Sequence, residues 1–374
     1  MAIELAELLE RHWADYAREH RQQLDAARYR AVRHVLACRT PAMGGRVHRC
    51  GGCRRHHYAY HSCNHRSCPK CGARDQQVWT ARQEARLLPV PYFMVTFTLP
   101  GELRPLCLAR PEILYDLMLR ESAAALQDVI ATKHKGAKGG FTSVLHTWGR
   151  QIQHHPHVHV IVPAVALHPV TGRLVRPAKD SFLVHYRPLA ARFRSRLHDA
   201  LKHDHPDIYQ QLTAAQRQVL SPAKTWNVQL QPVGQGKTAV RYLARYVRRS
   251  AFSSKRLLGY DKTGDVRLAW TSSADGKTGV LPLPPHELIR RWLLHVLPKG
   301  LPRIRHYGFL SPAAGKTRLR VRAMLGEFSE PVPQLPEVQP FACPHCGGEL
   351  TFLRDIAPVR IPRGPPRLKL AIPA

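Results

Sequence analysis

The stretch His155-Pro156-His157-Val158-His159 alternates histidine with other residues and runs on into Val160, Ile161 and Val162. Side chains of a β-strand alternate between faces, so His155, His157 and His159 are expected on one face and Val158, Val160 and Val162 on the other. Side-by-side imidazoles are spaced to hold one divalent metal. A solvated histidine-rich strand is the plainer reading, but three polar rings on one side of an otherwise apolar strand need a reason. A second pattern lies downstream. At helical spacing Val240, Leu243, Ala244, Val247 and Ala251 form an apolar stripe, and Tyr242 and Tyr246, four apart, share a face outside it with Arg245 and Arg249 beside them. A metal with an open position can polarise a phosphate, and a phenol facing that phosphate can attack it and keep the broken bond's energy in a covalent link. The plainer reading is two amphipathic tyrosines at the edge of a packed helix. No Gly-x-x-x-x-Gly-Lys-Ser/Thr phosphate loop is present; Gly236-Lys237-Thr238 matches only its last three positions.

The third pattern is cysteine. Cys50-x-x-Cys53 and Cys68-x-x-Cys71 are separated by fourteen residues. Two such knuckles make one tetrahedral zinc site whose binding energy helps fold a segment with little core. Cys38, His48, Cys63 and His65 lie close enough to replace one of the four, and Cys63 is kept as a possible ligand. Arg46, Arg49, Arg54, Arg55, Arg66 and Arg74 surround the knuckles and could grip phosphates. Cys343-Pro344-His345-Cys346 is a single knuckle without a local mate; it either completes a second site with distant ligands or binds nothing.

Lys and Arg number 57 against 26 Asp and Glu, a formal charge of +31 spread along the chain, which points to a polyanion partner and first to nucleic acid. No apolar run long enough to span a bilayer and no secretory signal appear, so a soluble intracellular protein without membrane contact is expected, and cysteines at metal-ligand spacing suit a reducing compartment. Nothing in the sequence sets an oligomeric state.

The positioning elements follow from periodicity. Residues 1–37 read as helical, 91–99 as a strand, 111–132 as a helix interrupted by Glu121, 141–148 as a second strand, 188–203 as a helix, 226–230 as a strand, 237–250 and 282–297 as amphipathic helices, and 301–308 as a basic strand-like stretch. Lys133–Gly140 is a basic glycine loop. The order strand, helix, strand, strand, helix, strand gives an α+β sandwich with a mainly antiparallel sheet. The expected organisation is a helical segment 1–37, a zinc-binding domain 38–90, a catalytic domain 91–325 and a Pro-rich tail 326–374, of which 357–374 reads as disordered.

His157-hydrophobic-His159 followed by Tyr242-x-x-x-Tyr246 resembles the HUH single-strand DNA endonucleases, and more narrowly the bacterial rolling-circle transposases of the insertion sequence ninety-one family. Cys63–Cys71, Leu145–Gly149, His154–His159, Tyr242–Tyr246 and Arg303–Gly308 carry the likeness in one order over most of the chain. The resemblance implies a ferredoxin-like sandwich behind a zinc-ribbon-like N-terminal module, with structural zinc in that module. It implies Mg or Mn at His157 and His159, with His155 or His146 as the third ligand, and Tyr242 and Tyr246 as nucleophiles. The expected partner is single-stranded DNA at transposon ends and target, met by Arg245, Arg249, Arg303, Arg305 and His306, in the cytoplasm at the bacterial nucleoid. The product would be a 5′-phosphotyrosine and a free 3′-hydroxyl. Competing readings are a rolling-circle replication initiator or relaxase, a non-enzymatic zinc protein that binds nucleic acid, and a metal-dependent hydrolase using water.

Overall fold

The computed structural model describes residues 3–177, 184–247, 250–272, 276–337 and 341–359. At its centre is a five-stranded sheet: β1 (Tyr92–Thr98), β2 (Gly140–Trp148), β3 (His154–Pro163), β4 (Val228–Pro232) and β5 (Ile304–Gly308). Helix α1 (Pro111–Lys133) joins β1 to β2, and α2 (Tyr186–Asp204) lies between β3 and β4. The sheet order is β5-β2-β3-β1-β4 and every neighbouring pair is antiparallel. This is the ferredoxin-like βαββαβ unit with β5 added on the outer side of β2.

Alternation decides what each face does. Phe93, Val95 and Phe97 of β1, Phe141 and Leu145 of β2, and Val158, Val160 and Val162 of β3 are buried in one core with α1 and α2. Glu121, the interruption in α1, is buried there, and its carboxylate accepts from Arg120 at 2.7 Å and Arg196 of α2 at 2.8 Å. A charge in that position is tolerated because it is paired and cross-links the two helices.

The opposite face carries Tyr92, Met94, Val144 and Ile161, covered by α3 (Lys237–Val247) through Val240, Leu243, Ala244 and Val247. Trp79, from the helix Ala73–Ala85, joins this core. Gly236 precedes α3 with φ +80°, and a Cβ there would meet the Tyr92 ring at 2.9 Å, so only glycine fits the turn. That accounts for the glycine of Gly236-Lys237-Thr238 without any phosphate loop.

A second core joins the N-terminal helices to residues 257–293. The helices Leu5–Glu19 and Ala26–Ala37 pack through Leu8, Leu9, Trp13 and Val32 against Leu288, Ile289 and Trp292 of the helix Pro285–Leu293. The same core takes Leu257, Val266, Leu268 and Leu283 from a three-stranded sheet, Leu257–Tyr260, Val266–Thr271 and Thr278–Leu283. That sheet was not anticipated, although Val266 and Leu268 alternate with Arg267 after a turn.

The C-terminal segment is not a separate tail where it is described. Leu350–Ile356 pairs antiparallel with Gly45–Cys50, which also pairs with His56–Tyr60, so residues from both ends of the chain form one sheet. The expectation of disorder over 357–374 falls outside the described residues from 360 onward. No described helix is long and apolar enough to cross a membrane.

A candidate histidine centre and two cysteine clusters

The register of the central sheet assembles the histidines. His146 of β2 stands directly opposite His157 of β3, while His159 is flanked by Val144 on one side and Thr96 of β1 on the other. One potential ligand atom from each of His146, His157 and His159 falls within 4.8 Å of the others. The side chains are 5%, 8% and 5% exposed. His155 is not in this group, although its ring lies 5.2 Å from that of His157. The reason is a bulge: between His146 and Trp148 one residue of β2 faces both His155 and Pro156 of β3. Proline has no N–H for the ladder, so the irregularity falls there and the alternation expected from His155 to His159 breaks.

The hydrogen bonds orient the rings. The His157 Nδ1–H donates to the His155 carbonyl at 2.7 Å, which leaves Nε2 with the lone pair, 2.8 Å from Nδ1 of His146. His159 Nδ1 meets Thr96 Oγ1 at 2.9 Å, and its buried Nε2 has no hydrogen-bond partner. Burial holds His157 down to about 4 and His159 down to about 3, and His146 well below the usual range, so all three are neutral at pH 7. Neutral imidazole is the metal-binding form. A convergent set of neutral rings with a buried, unpartnered ring nitrogen therefore fits a metal ion.

Tyr242 of α3 meets this centre. Its ring lies edge-on to His159, with centroids 5.9 Å apart. Tyr242 is half-buried, at the margin of the stripe formed by Val240, Leu243 and Ala244. Tyr246 lies one turn further along α3; its side chain is outside the described residues, as is Arg249. Arg245 is exposed.

Three of the residues expected to meet DNA are engaged within the fold. Arg303 is buried, with its guanidinium over the Trp148 ring at 5.7 Å; Trp148 in turn touches His146 edge-on at 4.3 Å. Arg305 pairs with Asp116 of α1 at 2.6 Å. His306 is half-buried and bonds Thr142 Oγ1 at 3.0 Å. Alternation along β5 sends Arg305 to the face covered by α1, and a short basic motif does not reveal that. Arg66 is also structural, donating to the carbonyls of Leu297 and Leu301 at 3.0 and 2.8 Å. Three supports were missed: Thr96, Trp148 and His295, whose Nε2–H reaches the Ile152 carbonyl at 2.9 Å while its Nδ1 lies 3.2 Å from Thr147 Oγ1. Thr96 was findable, since a strand paired to the histidine strand must supply its neighbours.

The cysteines sort differently from the expected Cys50, Cys53, Cys68, Cys71 set. Cys38, Cys63, Cys68 and Cys71 form one cluster; Cys50, Cys53, Cys343 and Cys346 form another. The first pair of knuckles does not share an ion because Cys50 ends one strand of a ribbon while Cys68 sits against the helical core beside Cys38. Trp292 Nε1–H donates to the Ser67 carbonyl at 3.1 Å and fixes that loop. The lone C-terminal knuckle finds its mate in Cys50 and Cys53. Each all-thiol set has the donor chemistry of structural zinc.

Comparison with known proteins finds two family models along the chain. Residues 8–99 match a family model described as "Transposase zinc-binding domain", and residues 140–318 one described as "Putative transposase". A protein of Sinorhizobium fredii named "Putative transposase" is 34% identical over 345 residues, 88% of this chain and 86% of its own length. The transposase for insertion sequence element IS801 of Pseudomonas savastanoi pv. phaseolicola is 27% identical over 350 residues, 87% of this chain and 83% of its own length. No solved structure matches. With a zinc-binding domain ahead of a sandwich whose facing strands bring three histidines together, the chain belongs to the insertion sequence ninety-one family of transposases, enzymes that act on DNA.

Proposed function

We propose that the chain cuts a single DNA strand at the histidine centre and holds the broken end on Tyr242 as a 5′-phosphotyrosine, the chemistry of rolling-circle transposition. One observation carries this reading: the Tyr242 ring stands edge-on to His159, 5.9 Å between centroids, on the face of the sheet that gathers the three neutral imidazoles. A divalent ion held by His146, His157 and His159 would polarise the scissile phosphate and offset charge on its oxygens.

The chain's own groups do the rest. Thr96 and the His155 carbonyl fix the ring orientations of His159 and His157. Helix α3, anchored by its apolar stripe, holds the phenol at the centre. The Tyr242 oxygen gives up its proton and bonds to phosphorus. The P–O3′ bond breaks, and the departing oxygen takes up a proton to become the 3′-hydroxyl. No nucleotide cofactor is required, because the ester energy is kept. Tyr246, four residues on, supplies a second nucleophile for a second transfer without release of the first strand.

The deciding experiment incubates the protein with labelled single-stranded DNA from its element's ends and Mn or Mg. A protein–DNA band that survives denaturation is expected, lost in Tyr242→Phe or in the Tyr242→Phe/Tyr246→Phe double variant. Cleavage without a band would replace tyrosine attack with hydrolysis by water. A folded protein that binds DNA but neither cuts nor links it would leave a zinc DNA-binding protein.

A further inference from the structure

The second cysteine cluster joins parts of the chain nearly three hundred residues apart. Cys50 and Cys346 sulfurs are 3.4 Å apart and Cys53 and Cys343 sulfurs 3.6 Å. A tetrahedron of sulfurs at zinc–thiolate bond length has edges of about 3.8 Å, so these spacings suit a shared ion. The Cys53 N–H points at Cys50 Sγ at 3.4 Å, as a thiolate acceptor requires. A Cβ at Gly348 would press on the Cys50 and Cys346 sulfurs at 3.2 and 3.3 Å, so the knuckle closes tightly only with glycine there. Cys343 and Cys346 lie outside the zinc-domain match, which ends at residue 99.

The clasp has a consequence for the sheet beside it. It lays Leu350–Ile356 along Gly45–Cys50, and one face of the resulting sheet is exposed and aromatic. Phe341 is 69% exposed and Phe352 51%. Their rings flank His48 at 6.2 and 6.1 Å, and the Arg46 guanidinium lies over Phe352 at 6.0 Å. Asp355 sits beside Arg46 at 3.5 Å, an exposed pair that a phosphate can replace at little cost. Exposed aromatic rings with an arginine laid against one of them, in a chain of net charge +31, match the way single strands are held without sequence preference: bases stack and the backbone meets Arg. Duplex DNA hides its base faces and has no use for them.

We propose that the face carrying Arg46, His48, Phe341 and Phe352 docks single-stranded DNA away from the histidine centre, and that the ion held by Cys50, Cys53, Cys343 and Cys346 assembles it. The idea rests on the reading that the chain acts on single strands. It is tested on the full-length, zinc-loaded protein with a labelled oligodeoxythymidylate, by fluorescence anisotropy. Phe341→Ala/Phe352→Ala is expected to weaken binding about tenfold or more while keeping both thiolate-held ions. Cys343→Ser/Cys346→Ser is expected to lose one of two such ions, read as half the thiolate-to-cobalt charge-transfer absorption after cobalt substitution, and to weaken binding equally. Undiminished binding by the phenylalanine variant would overturn the docking face; two ions or undiminished binding in the cysteine variant would overturn the clasp. If the cysteine variant does not fold, hydrogen exchange on the wild type decides: residues 341–359 must be protected by the metal and further by the oligonucleotide, and absence of either protection overturns the idea. Covalent-adduct formation is measured alongside. A wild type that neither binds single strands nor forms an adduct fails the functional reading, whereas adduct formation with no effect of the phenylalanine variant fails this inference alone.

Discussion

The two cysteine clusters each offer four thiols but have opposite surroundings. Cys38, Cys63, Cys68 and Cys71 are all buried and lie among Trp13, Tyr16, Val35 and Trp292 in the core that unites the N-terminal helices with the helix Pro285–Leu293. In the other cluster Cys346 is exposed, Cys53 is half-exposed, and the strand it anchors shows most of its side chains to solvent. The first cluster adds an ion to a core that many residues build. The second stands in for a core that the segment lacks. The histidine centre is a third case, in which a rigid sheet holds the ligands with no help from the ion. Burial and rigidity around a site, more than ligand identity, set whether losing it costs fold, a local segment or only chemistry.

The largest contrast is expected between Cys68→Ser and Cys346→Ser. A structural zinc contributes about 10–16 kcal/mol, as much as the whole stability of a typical domain, so Cys68→Ser should yield little folded protein. Cys346→Ser should keep a cooperative melt and lose only hydrogen-exchange protection over 341–359. Equal melts for the two variants would break the comparison. Next, His157→Ala should abolish strand cleavage while sparing much of the DNA affinity, because phosphate contacts come mainly from Lys and Arg; equal loss of cleavage and binding would count against a catalytic metal at this histidine. A smaller effect is expected at Thr96→Val, which removes the bond to His159 Nδ1. Apparent Mn affinity should fall about 10–100-fold, the usual cost of losing a group that orients a metal-binding histidine, and an unchanged Mn titration would exclude that role.

The last effect concerns pH. His295 is buried and held down from 6.5 to about 3, chiefly by burial. Between those values the unfolded chain binds a proton that the folded chain refuses, so stability rises with pH and is lost as pH falls below 6.5. His295→Gln should flatten the dependence of denaturant stability on pH between 6.5 and 4 by up to about 1.4 kcal/mol per unit, one proton's worth. An unchanged slope would mean that His295 takes up its proton without unfolding.

Local patterns were legible in the sequence. The faces of β3 and the apolar stripe of α3 follow from backbone periods of two and 3.6, which act between residues a few positions apart. So the valine face of β3, the apolar stripe of α3 with Tyr242 beside it, and the order of elements in the sandwich could be reasoned from neighbours alone. What the sequence left open involved residues far apart. His146 rather than His155 joins the centre because β2 and β3 meet in a register with a bulge at Pro156. Arg303 is buried because Trp148 comes to lie beneath it, and Arg305 is spent on Asp116 because β5 docks at the sheet edge with that side toward α1.

The cysteines draw the line most sharply. A Cys-x-x-Cys knuckle is a property of four consecutive residues, and all three knuckles stood out at once. Which knuckles share an ion is a matter of where their strands and loops pack, and six thiols of like chemistry at the same spacing give no preference in advance. The sequence by itself determined the chemical inventory: histidines on one strand face, tyrosines on one helix, thiols in pairs and a large positive charge. Tertiary structure alone decided the partnerships, because sheet register, bulges and the return of the C-terminal strand to the N-terminal ribbon are set by the packing of whole elements and not by any short stretch of chain.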